Sequence, residues 1–225
     1  TGINVNTNYT WSHCLSPYQD SGFGGTGFNG DNVYQDPNNR DTTRGNCTQD
    51  RRHNFTFTTV ARTPEFANAG LRAVASDWSL SVIYRMNSGS NLSIENGRRD
   101  LALNGVNPSD QPANYLGGDA TTGNDGPDDQ YINPSAWGYA TLGTIGNGGW
   151  RSVRGPKQWD FDVSLARTFD LGETENLEFR VEAYNLTNSF RPGNPNTNRN
   201  NRFFGVTRAS GSDDPRILQF ALKLN

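Results

Sequence analysis

The chain has 225 residues, a formal net charge of -3 and a pI near 5.4, and its basic residues are scattered along the sequence. Scattered basic residues on an acidic chain create no positive surface that would attract a polyanion, so nucleic acid is not expected as a partner. Only 32% of the residues are hydrophobic and the mean hydropathy is -0.78, which would give a soluble domain a thin core. No run approaches the roughly 20 apolar residues of a membrane helix, but strands with every second residue apolar fit this composition.

Six segments alternate apolar and polar side chains with a period of two, which is typical of strands with one apolar face. In the clearest segment, Trp159, Phe161 and Val163 alternate with Asp160 and Asp162. No stretch of comparable length has a helical period, so we predict an all-β fold of antiparallel up-and-down strands. The predicted strands lie near residues 2–13, 51–63, 73–87, 157–169, 175–186 and 216–225.

The connections between these strands alternate in length. Long connections at 14–50, 88–156 and 187–215 are rich in Gly, Asn, Asp and Pro, whereas TPEFANAGLRA and FDLGETE are short. Alternate connections of up-and-down strands lie at opposite ends, so one end carries tight turns and the other carries large loops. This arrangement predicts a section of a large transmembrane β-barrel. A soluble β-sandwich is the alternative.

The two faces of the predicted strands also favour a barrel. Charged side chains on the polar faces suit the wet interior of a wide lumen. They are Asp160, Asp162, Glu178, Arg180 and Glu182. Aromatic residues near strand ends are expected to form girdles at the two membrane interfaces. They are Trp11, Trp78, Trp159 and Phe169.

The two cysteines flank the first long loop. Antiparallel pairing of the first two strands brings Cys14 and Cys47 to the same end of one hairpin, so we predict a disulfide. The periplasm and the cell surface are oxidising and permit such a bond. Two free thiols are the alternative, because the sequence offers no convincing metal cluster around them.

No catalytic residue is predicted. His13 and His53 are the two histidines of the chain, and their proximity to Cys14 at a loop base is a weak basis for nucleophilic catalysis. The acidic loop GDATTGNDGPDDQY offers oxygen ligands for Ca2+, but its spacing departs from the EF-hand pattern, so a solvated loop is favoured. Its carboxylates are Asp119, Asp125, Asp128 and Asp129. No other cofactor is predicted.

Most of the chain resembles a known family. The stretch QYINPSAWGYATLGTIGNGGWRSVRGPKQWDFDVSLARTFDLGETENLEFRVEAYNLTNSFRPGNPN, followed by FFGVTRASGSDDPRILQFALKLN, is similar to the C-terminal region of TonB-dependent outer-membrane receptors. The nearest group is the Oar-like one, which carries an N-terminal domain similar to a carboxypeptidase regulatory domain. Upstream, YTWSH, DRRHNF and RMNSGSNLSI resemble the preceding hairpins of that group.

The resemblance implies a barrel of about 22 strands around a plug domain, with this chain as its C-terminal section. It also implies contact with outer-membrane lipid, with TonB through upstream segments, and with an unidentified bulky nutrient. The last strand would close the barrel by pairing with the first. Its apolar face carries Leu218, Phe220, Leu222 and Leu224. The chain departs from the family at Leu224 and Asn225, where a terminal Phe is usual.

Three hypotheses of function follow. The first is nutrient transport in the outer membrane. The second is a cleaved or separately encoded structural subunit, in the membrane or at the cell surface, that assembles with copies of itself or with other chains through its open strand edges. The third is a soluble sandwich that acts as a binding module. An enzyme on such a sandwich belongs to the third hypothesis, but no enzymatic activity is predicted.

Overall fold

The structure is a computed structural model that describes residues 2–16, 35–36, 38–97, 100–105, 111–172, 175–208 and 215–224. Asn225, one of the two terminal residues at which the resemblance predicts a Phe instead, lies outside these residues. The strands are β1 (Gly2–Trp11), β2 (Leu15–Ser16), β3 (Gly45–Asn46), β4 (His53–Arg62), β5 (Trp78–Asn87), β6 (Asn91–Leu92), β7 (Asn114–Tyr115), β8 (Trp137–Gly138), β9 (Val153–Arg154), β10 (Gln158–Asp170), β11 (Asn176–Tyr184) and β12 (Ile217–Leu224). The described residues also form one helix, α1 (Ala69–Ala75), and two 3-10 turns, Arg40–Thr43 and Pro134–Ala136.

The six long strands form a single antiparallel sheet in the order β1-β4-β5-β10-β11-β12. Each long strand after β1 pairs with the long strand that precedes it in the sequence, so the up-and-down, all-β prediction is confirmed. Because the six strands lie in one sheet, the sandwich alternative is wrong. Within the described residues the sheet stays open between β1 and β12.

The short connection between β4 and β5 differs from the prediction. A strand was expected over 73–87, but residues 73–75 belong to α1 and β5 begins at Trp78. Asn68 caps the helix because its side-chain oxygen accepts hydrogen bonds from the amides of Gly70 at 3.0 Å and Leu71 at 3.2 Å. Among the described helices, none has the length and apolarity of a membrane span.

The buried core lies in the long connections rather than in the sheet. The described parts of 88–156 and 187–215 contribute seven and one of its buried hydrophobic residues, respectively. They are Leu92, Ile94, Ala113, Ile132, Ala136, Trp137, Val153 and Phe204. Small ladders between β2 and β3, β6 and β9, and β7 and β8 brace these connections. Residues predicted only as loops therefore fold into a packed unit, which we call the loop assembly.

Candidate functional site

The register of the sheet brings the apolar faces of all six long strands together. In one row across the sheet, Thr59 pairs with Val5 and Val82, and Val82 pairs with Val163. The row continues from Val163 to Ala183 and from Ala183 to Leu218. The apolar side chains of β12 join the same face. They are Leu218, Phe220, Leu222 and Leu224, which are 53%, 66%, 70% and 67% exposed.

Aromatic side chains bound this apolar face at both ends. Trp78 and Phe169 lie at the turn end, while Trp11 and Trp159 lie at the loop end. Trp159 and Phe169 are ten residues apart on β10. Ten residues of strand span about 34 Å, and a tilt of about 45° reduces this to about 24 Å, which matches the apolar band of a transmembrane barrel.

The opposite face is polar and carries the charges that the sequence predicted. Arg180 lies between two carboxylates of β11: its Nε donates to Glu178 Oε1 at 3.0 Å, and its Nη1 lies 3.6 Å from Glu182 Oε1. These residues line an open cavity of about 700 Å³ together with the polar side chains of β5 and β10. The side chain of Arg180 stays 40% exposed, so the cluster is solvated rather than buried.

Asp160 and Asp162 share this face but lie nearer the loop end. Arg191 Nη2 lies 2.6 Å from Asp160 Oδ1, and the amide of Asn185 donates to Asp162 Oδ1 at 2.9 Å. Both carboxylates therefore hold the connection that follows β11 against the first residues of β10. The five predicted charges therefore lie on one face but form two groups. Glu178, Arg180 and Glu182 form the solvated cluster, and Asp160 and Asp162 bind the connection near the loop end.

Cys14 and Cys47 form a disulfide with a Cα–Cα distance of 5.4 Å. The amide of Cys47 also donates to the carbonyl of Cys14 at 3.0 Å, so the bridge closes the base of the first loop just above the β1–β4 hairpin. The histidines near it have separate partners: His53 Nδ1 lies 2.8 Å from the Tyr9 hydroxyl, and His13 Nε2 lies 3.2 Å from Asn46 Oδ1.

Asp50 joins the first loop to the second. Its role is not predictable from the sequence, because a single acidic residue in CTQDRR matches no motif. Its carboxylate accepts hydrogen bonds from Ser12 Oγ at 3.2 Å and Asn91 Nδ2 at 3.4 Å, and Arg154 Nη2 lies 3.6 Å away. Burial raises the pKa of Asp50, but the hydrogen bonds from Asn91 and Ser12 and the charges of Arg154 and Arg52 outweigh it and lower the pKa overall.

The third long connection joins the assembly through its backbone. The amide of Glu95 donates to the carbonyl of Thr197 at 3.1 Å, and the amide of Arg199 donates back to Glu95 at 2.9 Å. Further along, Thr207 Oγ1 donates to the carbonyl of Asp129 at 2.8 Å. All three long connections therefore meet in one unit at the same end of the sheet.

A hollow of about 590 Å³ opens between parts of the second connection. Asp125, Tyr131, Arg154 and Lys157 are among its lining residues, so both charge signs and a phenol face it. Burial, followed by the charge of Asp125, raises the pKa of Tyr131, whose hydroxyl donates to the Arg154 carbonyl at 2.9 Å. Tyr131 therefore stays protonated and serves as a hydrogen-bond donor.

The acidic loop uses several of its polar groups for its own folding. Asp129 Oδ2 accepts from the amide of Gly126 at 3.0 Å, Asp128 has a φ of 58°, and the carbonyl of Asp119 accepts from Asn133 Nδ2 at 2.9 Å. In the part of the chain that the structure describes, no group of three or more His, Cys, Asp or Glu side chains is placed to hold a metal ion.

An open sheet with one apolar face between aromatic rows and one charged face defines the wall of a transmembrane β-barrel. The sequence profile of the outer membrane beta barrel domain family matches residues 1–219, and the chain belongs to this family. Curated proteins and solved structures give no significant match. The family places the protein in the outer membrane, so the apolar face is the one that meets lipid.

Proposed function

We propose that the chain forms part of the wall and the external loops of a TonB-dependent receptor that imports a bulky nutrient. The family gives the barrel domain and its location. TonB dependence and import are supported by the residues from QYINPS to FALKLN that resemble the C-terminal region of such receptors. In this proposal the plug domain and the TonB-contacting segment belong to upstream sequence, and no catalysed reaction or cofactor is assigned.

The observation that carries the proposal is the loop assembly. Ile94 and Ile132 of the second connection are fully buried, and Phe204 of the third packs in the same core. Such packing preorganises a large surface at the end where barrels carry their extracellular loops. A preformed surface captures a ligand at a lower entropic cost than mobile loops do. The hollow beside Tyr131 and Arg154 is one place where a polar ligand would contact it.

The polar face supports a wide lumen. A sheet of six strands is smaller than the smallest transmembrane barrels, which have about 8 strands. In such narrow barrels interior side chains fill the lumen, whereas the charged cluster of Glu178, Arg180 and Glu182 on this face suits a water-filled interior. More strands are therefore needed to close the wall, and a wide lumen is the kind that holds a plug domain.

The decisive experiment combines the mass of the native protein with a TonB-binding assay. The protein is extracted from outer membranes without reduction, its intact mass is measured, and it is passed over the immobilised periplasmic domain of TonB. We expect a mass far above 24.8 kDa and retention that soluble TonB competes away. A native protein near 24.8 kDa that flows through would exclude the receptor.

The alternative is a wall subunit that assembles through its edges. Every residue of β1 and β12 is exposed, and the outer edge of each strand has no ladder partner in the described sheet. An unpaired edge in lipid is costly, so a chain of this size would need strands from further copies. Concentration-dependent oligomers of a 24.8 kDa chain, lost on Phe220→Lys, would favour this alternative.

A further inference from the structure

Two side chains of the sheet hold the last turn of helix α1. Trp78 Nε1 donates to the carbonyl of Val74 at 2.8 Å, and Arg167 Nη2 donates to the carbonyl of Ala73. Trp78 and Arg167 pair across β5 and β10 and share the apolar face of the sheet. The end of α1 is therefore on the lipid side of the wall, at the turn end.

The free side of α1 is apolar. Leu71 and Val74 are three residues apart, so they lie on the same side of the helix. They are 54% and 70% exposed, and no residue of α1 is buried. The carbonyl of Val74 is bonded to Trp78 of the apolar row, so this pair is attached at the edge of the lipid-facing side of the sheet.

Arg167 marks the depth of this region in the bilayer. It occupies a position in the apolar series of β10, between Leu165 and Phe169, and its guanidinium lies 5.3 Å from the ring centroid of Trp78 and 4.7 Å from that of Phe169. An arginine on the lipid face costs most at the bilayer midplane and little near the interface. Tryptophan also concentrates at the headgroup level. This row of the sheet therefore lies at a membrane interface.

We propose that α1 and Arg167 form a phospholipid-binding surface at the periplasmic interface of the outer membrane. Short turns of transmembrane barrels face the periplasm, which assigns the turn end to the inner leaflet. Leu71 and Val74 enter the boundary between headgroups and acyl chains, and the guanidinium of Arg167 lies at the level of the lipid phosphates. Lipid is the occupant because the surface continues the face that the family places in lipid.

The proposal rests on the outer-membrane location and is independent of nutrient import. A test is to place single cysteines at Leu71 and Val74, with the native disulfide oxidised, and to attach a small fluorophore to each. The full-length protein is reconstituted in phosphatidylethanolamine–phosphatidylglycerol vesicles. Quenching is compared for nitroxides near the lipid headgroup, nitroxides deep in the acyl chain, and aqueous iodide.

Two further positions calibrate the measurement. Leu80→Cys reports the lipid face one row deeper than Trp78, and Glu65→Cys reports a side chain that is 71% exposed in the same connection as α1. We expect labels at Leu71 and Val74 to lose most fluorescence to the shallow nitroxide. The label at Leu80 should respond most to the deep nitroxide, and the label at Glu65 should respond to iodide.

Two outcomes would overturn the proposal. Labels at Leu71 and Val74 that respond only to iodide would place α1 in water. Labels that respond to no quencher would place it beneath another protein segment. The label at Leu80 also separates these outcomes from a failure of insertion, because a protein outside the bilayer loses deep-nitroxide quenching at that position. As a second variant, Leu71→Asp should move the label at Val74 towards iodide, whereas Leu71→Ile should not.

Discussion

Gly45 and Trp150 belong to different long connections, yet a Cβ atom at Gly45 would lie 2.0 Å from the carbonyl oxygen of Trp150. The two residues form a parallel bridge, and the next residue, Asn46, donates through Nδ2 to the carbonyl of Arg151 at 2.8 Å. The disulfide-closed loop and the second connection thus meet backbone against backbone. Only glycine permits this backbone contact, which adds to the links that Asp50 makes between the same two connections.

Gly45→Ala should therefore loosen the loop assembly while leaving the sheet intact. The added methyl group meets backbone rather than a flexible side chain, so we expect a destabilisation of about 1–3 kcal/mol. The measurement is proteolytic cleavage of the long connections in membrane-inserted protein, with heat-dependent mobility as the readout of the barrel. Gly172→Ala is the matched control, since a Cβ there meets nothing within 4 Å. Equal protease resistance of the two variants would contradict the prediction.

The two faces of the sheet should respond in opposite ways to a new charge. Val82 lies near the middle of the apolar face, and its neighbour Ser81 lines the open cavity on the polar face. We expect Val82→Lys to destabilise the inserted protein by about 2–4 kcal/mol, because the charge faces lipid near the midplane. Ser81→Lys should be nearly neutral. Urea unfolding in vesicles measures both, and similar losses from the two variants would refute the assignment of the faces.

Removing the disulfide should destabilise the protein by about 3 to 4 kcal/mol, because the bridge closes a loop between residues separated by 33 positions. The Cys14→Ser, Cys47→Ser double variant is compared with wild type under oxidising conditions. Wild type after reduction provides the second comparison and should match the double variant. A double variant as stable as oxidised wild type would show that the loop assembly restrains this loop without the bridge.

The junction at Asp50 should weaken in acid. The pKa of Asp50 is lower in the folded protein than in the unfolded chain, so its contribution to stability is complete above the unfolded value, which is about 4. That contribution declines as the pH falls from there through the folded pKa. The protection of the amides near Asn91 and Arg154 against hydrogen exchange, relative to the intrinsic rate at each pH, should therefore fall below about pH 4.

Asp50→Asn serves as the test of this assignment. The variant should show a smaller difference in amide protection between neutral and acid pH, because the group that titrates has been removed. Asp119→Asn, at an exposed position, is the control and should retain the wild-type pH dependence. An unchanged pH dependence in Asp50→Asn would assign the acid sensitivity to other carboxylates, such as Asp100, whose pKa is also lowered, chiefly by a hydrogen bond from Gln111.

The alternation of apolar and polar residues predicted the long strands well. Successive side chains of a strand point to opposite faces, and here one face is apolar and the other is polar. QWDFDVSLAR was assigned to a strand from its pattern alone, and β10 runs from Gln158 to Asp170. The start of β5 was less well predicted, because Asn68 forms a helix cap that the alternating pattern does not reveal. Arg167 is a charged residue within the apolar series of β10, and this break in the pattern could have marked it as unusual.

The sequence by itself determined the all-β class, the strand order and the apolar and polar faces, since these depend on local periodicity and on connection lengths. Only the tertiary structure placed the core in the loop assembly. The contacts there join residues far apart in the chain, such as Gly45 with Trp150 and Asn91 with Asp50, and they use backbone groups and amides that leave no periodic trace. Long-range pairing of irregular segments has no local pattern, so only the folded chain reveals it.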